Sequence, residues 1–405
     1  MTEFQVIRPE QPKLVADGPE EIFAAVGVPG RPGESVDLVV KAGRIERFER
    51  RSQKPPVWTL LPPLADLHVH SNRAFTIGPT QPSSLEHAIH MAQDMYLHFS
   101  EADYARQAER LFAQAVDKGT TRLRTHADVN LVASLKAVRG TLAARARFAD
   151  ALDVDVVAFA SSSSDPVDPS VRALLRDGCA LGAELIGAVP AYYADPKASI
   201  DALLDLAVAL DVCVDLHLDE HLDVARSCSR FLAESTCARG LNGRVTLSHG
   251  CTISVLDHVE RQRVAECLAR AQITVIALPA TNLYLQDRGA ATPAQRGLTA
   301  VKELAAAGVE VRFASDNVQD AFFPYGTADL LDIAYLAALA AQIDDMGLLI
   351  RGICGGRDDV TVGSEASFVL IRGSSLAEVL AERTGDRLVV KRGALANPTP
   401  KLSTP

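Results

Sequence analysis

His68 and His70 flank a single valine at the end of an apolar run, Leu64–His70. Residues two apart on a strand share a face, so the two imidazoles point the same way. The pattern returns three times: His217 follows Val214-Asp215-Leu216, His249 follows Leu247-Ser248, and Asp316 follows Phe313-Ala314-Ser315. Glu220 stands three residues past His217. Three imidazoles and a carboxylate suit a divalent transition metal such as zinc, iron or manganese. A fourth imidazole and a free glutamate remain for proton transfer. A single histidine closing a strand is most often a hydrogen-bonded core residue. Four such positions on four strands, all at the same end, point instead to one site.

The elements that must position them form a regular series. Apolar strands are expected at Leu64–His70, Thr121–His126, Val154–Phe159, Leu185–Val189, Val212–Leu216, Val245–Ser248, Ile273–Ala277 and Val309–Ala314. They alternate with Ala/Leu/Glu/Arg-rich helical stretches at the spacing of βα units, which implies a parallel sheet. Eight units of this size predict a (β/α)8 TIM barrel, whose catalytic groups gather at the C-terminal ends of the strands. A doubly wound open sheet is the weaker option, because no G-x-G-x-x-G follows the early strands. Before residue 60, Val36–Val40, Ala42-Gly43 and Ile45–Phe48 read as strand, tight turn, strand; Ala366–Ile371 and Leu388–Lys391 are strand-like again. A small β-sandwich domain built from both termini is therefore expected from residues 1–60 plus 360–397, around a barrel at 61–359, with 398–405 as a loosely held tail.

Composition narrows the function classes. The 405 residues are 48% hydrophobic and 23% charged, with a formal charge of −10, so a nucleic-acid binder, which needs a concentrated basic face, is not expected. The basic run Arg44–Lys54 alternates with glutamate and apolar residues and reads as a solvated strand face. No stretch is long and apolar enough for a membrane helix, and Met1-Thr2-Glu3 does not open a signal peptide. Seven scattered cysteines without a C-x-x-C pair point to a reducing, cytoplasmic setting rather than a disulfide frame.

Several longer motifs resemble the amidohydrolase superfamily, and within it the cytosine-deaminase-like branch that includes N-isopropylammelide amidohydrolases. These are Leu61-Pro62-Pro63-Leu64-Ala65-Asp66-Leu67-His68-Val69-His70, Arg124-Thr125-His126-Ala127-Asp128-Val129, His217-Leu218-Asp219-Glu220, Arg296-Gly297-Leu298-Thr299 and Ser315-Asp316-Asn317-Val318. The resemblance implies one metal ion held by His68, His70, His217 and Asp316, with His249 polarising the attacking water and Glu220 as proton shuttle. Binuclear members use a fourth-strand lysine as a bridge; no lysine lies between Lys136 and Lys197, so a mononuclear site is expected. The implied reaction is hydrolytic removal of an amino group from a pyrimidine- or triazine-like ring. Release of an alkylamine from an N-alkylammelide-type substrate is the alternative. A non-catalytic scaffold on the same fold is disfavoured, since every one of these residues is retained. The resemblance is compatible with a homo-oligomer, but no apolar stripe gives a copy number.

Departures from the branch bear on substrate. Cytosine deaminases carry Pro-Gln after the third-strand Phe, where this chain has Phe159 followed by Ala160-Ser161-Ser162-Ser163-Ser164. A short hydroxyl cannot replace a bidentate amide. Asn317 stands where the branch has a second Asp, and Phe322 where it has an aromatic lid Trp. Ser161, Asn317, Phe322 and Asn282 are the expected substrate-binding residues, for a ring other than cytosine and richer in carbonyl groups. His126 and His221 have no assigned role.

Overall fold

The computed structural model describes residues 15–17, 20–28, 34–49, 56–78, 82, 84–289 and 295–396. The end of the basic run (50–54) and the tail at 398–405 lie outside them. Two compact units separate: residues 64–356 form one, and residues 1–63 with 357–397 contribute the other.

Eight parallel strands run through the larger unit in sequential order: β1 (Leu64–Val69), β2 (Thr120–Val129), β3 (Asp153–Ala160), β4 (Leu185–Ala188), β5 (Cys213–Leu218), β6 (Val245–His249), β7 (Thr274–Ala277) and β8 (Val311–Phe313). Their near-continuous apolar runs suit strands covered on both faces, and helices fill the connections. The seam between last and first strand is closed by one parallel bridge, Val69 with Asp316. There the Asp316 amide donates to the His68 carbonyl at 2.8 Å and the His70 amide to the Asp316 carbonyl at 3.2 Å. Barrel closure therefore sets the spacing of three of the expected site residues through their backbones.

Two differences from the expected strands matter. β2 runs three residues past His126, which carries Asp128 up to the rim on the same face as His126. β5 ends at Leu218 rather than Leu216, so His217 lies within the ladder, paired in register with Ser248. Glycine is required at one barrel position: a Cβ on Gly187 of β4 would lie 2.4 Å from the Asp215 carbonyl oxygen and 3.1 Å from the Phe159 ring.

In the smaller unit the ladders join strands from both ends of the chain into one sheet, antiparallel except where Glu20–Gly27 meets Trp58–Leu61. Ala42 and Gly43 both have positive φ (49° and 72°), the type I′ hairpin geometry that matches strand twist. Its core includes Phe23, Leu38, Trp58, Phe368 and Leu370, with Phe23 and Phe368 edge-to-face at 5.2 Å. Among the described residues no helix is long and apolar enough to cross a membrane.

Replacing Gly187 by alanine should destabilise the barrel by about 2 kcal/mol or more, because overpacking at a backbone contact is not relieved by rotamer changes. Thermal unfolding would show a fall of several degrees; an unchanged midpoint would mean that β4 and β5 can part at this point.

Candidate active site and metal centre

His68, His70, His217 and Asp316 converge at the C-terminal rim of the barrel, each offering a ligand atom within 4.8 Å of the others. The His70 and His217 Nε2 atoms are 3.0 Å apart, and Asp316 Oδ1 lies 3.4 Å from His70 Nε2 and 3.6 Å from His68 Nε2. All four are buried. Burial pushes the three imidazoles well below their ordinary pKa, and neighbouring positive groups add to the effect, so they are neutral, the form that binds a metal. Burial raises Asp316 to about 7, against the pull of His249.

A relay behind the cluster fixes how His68 presents itself. Ser248 Oγ donates to Asp215 Oδ1 at 2.8 Å, so toward His68 it can only accept, from Nδ1–H at 2.8 Å. Nε2 is then the lone-pair nitrogen, turned toward Asp316 and without a hydrogen-bond partner. Asp215 is held in turn by Arg124 Nη1 at 2.9 Å, which also donates to Thr246 Oγ1 at 3.1 Å. Burial pushes the Asp215 carboxyl up, but His126, Arg124 and Ser248 outweigh it and keep the group below its ordinary pKa. Asp316 Oδ2 is likewise buried and unpartnered. Neutral imidazoles whose Nε2 atoms gather around Asp316 Oδ1 fit a divalent cation.

His249 and Asp316 both leave their strands in the left-handed region, with φ of 76° and 59°. That conformation costs a non-glycine residue roughly 1–2 kcal/mol and recurs at functional sites. Gly250 follows with φ 60°, and Thr299, from the Arg296–Thr299 motif, holds the His249 carbonyl. His249 Nδ1 meets Asn282 Oδ1 at 3.0 Å, which leaves its buried Nε2 free as an acceptor. Glu220 Oε1 lies 3.6 Å from His249 Nδ1, and burial pushes the Glu220 carboxyl up to about 8. Its loop is pinned by Asp219, whose carboxylate accepts from the Cys228 and Ser229 amides and from the Ser227 hydroxyl at 2.8–3.2 Å.

The cleft above these groups is lined by Glu220, His249, Asp316 and His217, and on its outer wall by Phe159, Ser161, Val189, Asn317 and Phe322. Helix α1 (Leu85–His98), capped by Ser84, turns Leu85, Ile89, Ala92 and Tyr96 toward it. Asn317 donates to Asp320 at 2.7 Å and accepts from Thr281 at 3.3 Å. Asn282 does not line the cleft; it is buried against His249. His126 is a core residue whose Nδ1 donates to the Val69 carbonyl, and His221 bonds to Thr252 at the mouth.

Sequence reasoning gave no role to Asp215, Ser248, Arg124, Asp128 or Arg73. Asp215, Ser248 and Arg124 lie in the expected strands and Asp128 in the Arg124–Val129 motif, and Asp215 lies two residues before His217, on the same face of β5. A charged residue there signals an inward-facing ion pair.

The match to known proteins agrees with this geometry. Residues 78–337, well over half of the chain, match the amidohydrolase family. The chain belongs to that family. A pterin deaminase from Rhizobium rhizogenes is 29% identical over 351 residues, covering 83% of this chain and 79% of that protein. An N-isopropylammelide isopropyl amidohydrolase from a Pseudomonas species is 28% identical over 364 residues, covering 82% and 85%. A crystal structure of 5-methylcytosine deaminase from Klebsiella pneumoniae, liganded with phosphonocytosine, superposes with a TM-score of 0.83 at 25% identity, covering 92% of this chain and 97% of that one. As an amidohydrolase, this chain is an enzyme that hydrolyses C–N bonds. β4, which in binuclear amidohydrolases would carry the bridging lysine, holds only Leu, Ile, Gly and Ala.

Removing the relay should loosen the metal. Ser248→Ala or Asp215→Asn is expected to weaken zinc affinity by about 10–100-fold with the fold intact. Competition against a chromogenic chelator measures it. Unchanged affinity in both variants would mean that the relay does not set the His68 tautomer.

Proposed function

We propose that this amidohydrolase removes an amino group from a nitrogen heterocycle by hydrolysis, at one divalent metal ion held by His68, His70, His217 and Asp316. The reading is carried by the convergence of four buried ligand atoms beside a buried Glu220 in one cleft. When bound, the cation supplies a Lewis acid that makes water a competent nucleophile at neutral pH.

The residues of the chain then divide the proton work. His249 Nε2 and Asp316 Oδ2 are buried acceptors without partners, placed to take the proton that the attacking water gives up. As the C–O bond forms, electron density moves onto the adjacent ring nitrogen. Glu220, protonated because burial raises its pKa to about 8, donates there. The C–N bond to the exocyclic amine breaks as that amine receives the proton held by Asp316, the added hydroxyl returns its remaining proton to the Glu220 carboxylate to leave a ring C=O, and ammonia departs. Phe159, Val189, Phe322 and the α1 wall give the ring an apolar seat, while Ser161 and Asn317 offer polar contacts at its edge. The apolar wall of Leu85, Ile89 and Val189 would also receive an N-alkyl substituent, and the 28% identical ammelide amidohydrolase favours that second reading. Identifying the leaving group, ammonia or a primary amine, separates the two.

Glu220→Gln should retain the metal and lose about 10²–10⁴-fold in turnover on any ring from which the native enzyme releases amine. Since the donor form of Glu220 disappears as pH rises through about 8, kcat/KM of the native enzyme should fall above that pH, and the variant should lack this limb. Full activity in the variant would place the proton donor elsewhere.

A further inference from the structure

Arg73 and Asp128 line the cleft, and neither is among the metal-binding residues nor takes part in the proton steps above. Arg73 is nearly buried, at 8% exposure, with its guanidinium 4.4 Å above the Phe322 ring. Two carboxylates flank it beyond hydrogen-bonding distance: Asp320 Oδ2 is 3.5 Å from Nε, and Asp128 Oδ2 is 4.0 Å from Nη1. These carboxylates differ. Asp320 is spent: its oxygens accept from the Phe322 and Phe323 amides at 2.9 and 3.1 Å and from Asn317 Nδ2 at 2.7 Å. Asp128, 2% exposed, accepts from the Tyr96 hydroxyl at 3.2 Å on Oδ2, while its Oδ1 is buried with no partner. Arg73, Tyr96 and Asp128 all line the cleft, whereas Asp320 does not.

A buried acceptor without a donor, and a nearly buried guanidinium held only by long ion pairs with Nε unbonded, are each costly unless something in the cleft completes them. We infer that Arg73 and Asp128 are specificity-determining residues that read a lactam edge of the substrate, an N–H beside a C=O. Arg73 donates to the carbonyl oxygen, and Asp128 Oδ1 accepts from the ring N–H. Charge selects this ligand over its rivals. One guanidinium among two carboxylates repels an acidic substituent, and the guanidinium repels a cationic one. A neutral edge with one acceptor and one donor leaves the balance undisturbed while satisfying both groups. Phe322 does double duty, as a platform for the guanidinium and as a wall for the ring. The three residues by which β2 outruns His126 are what bring Asp128 to this level.

This inference rests on the hydrolytic reading of the same cleft, and the test separates the two. The metal-loaded enzyme is given matched pairs of amino-substituted pyrimidines, triazines and pteridines, each as the oxo lactam and as its O-methyl ether, which lacks both the N–H and the carbonyl. Binding of the corresponding rings without the leaving amine, uracil and cyanuric acid against their fully O-methylated ethers, is measured by calorimetry. The native enzyme should favour lactam over ether by at least about 10²-fold in kcat/KM and in affinity, because a site built to hydrogen-bond a group rejects the analogue lacking it. Asp128→Leu and Arg73→Met should bring that ratio close to one, chiefly through KM. Asp128→Asn, which keeps an acceptor oxygen, and Arg73→Lys should recover part of it. A ratio unchanged in the Asp128→Leu variant, or a native enzyme indifferent to the pair, overturns the inference. Asp128→Leu is near-isosteric and decides the matter if Arg73→Met does not fold. Failure of every ring to release an amine would overturn the hydrolytic reading alone, since the calorimetric ratio still decides the lactam edge.

Discussion

A cylinder of backbone that buries five imidazoles and a carboxylate at one rim has created a cost that nothing in the protein alone removes. His68 is in ring contact with His70, His126, His217 and His249, and Asp316 sits beside His68 and His70. Burial drives His68, His70, His217 and His249 toward the neutral ring. His68 Nε2 and Asp316 Oδ2 are then buried without partners, and the Nε2 atoms of His70 and His217 have only each other, which a cation shared by the four side chains would satisfy. The Asp215–Ser248–His68 relay turns this from crowding into a directed arrangement, because it settles which nitrogen of His68 faces inward.

The rest of the barrel rim serves this constraint. Closure of the sheet at Val69 and Asp316 sets the separation of the first and last strands where their ligands stand. Left-handed backbone at His249 and Asp316 redirects their side chains inward, at a cost borne by the ladders on either side. Asp219, also left-handed at φ 54°, spends its carboxylate on anchoring the loop that presents Glu220. Chemistry and fold thus meet in the same few residues at the strand ends.

Much of this was legible in the chain. The alternation of apolar runs and helical stretches predicts eight strands, and each starts and ends within three residues of its expected position, because strands buried on both faces have unambiguous composition. The convergence of His68, His70, His217, His249 and Asp316 followed from parallel strands sharing one rim. What periodicity could not supply was partnership between strands. Ser248 looks like any small strand residue until β5 and β6 are placed in register and it meets both Asp215 and His68. Asp128 falls in the Arg124–Val129 motif, but a strand ending at His126 does not carry it to the rim; the longer β2 does. Asn282, expected at the substrate, instead holds His249, a matter of which face of a short helix turns inward. The parallel pairing of Trp58–Leu61 in the terminal sheet has no local signature at all.

The central claim is that one cation organises the site. It is tested most directly by anomalous diffraction from crystals of the metal-loaded enzyme, collected on either side of the absorption edge of the bound element. A single peak bounded by His68, His70, His217 and Asp316 is expected. Two peaks in the barrel, or one peak away from those four side chains, would contradict it.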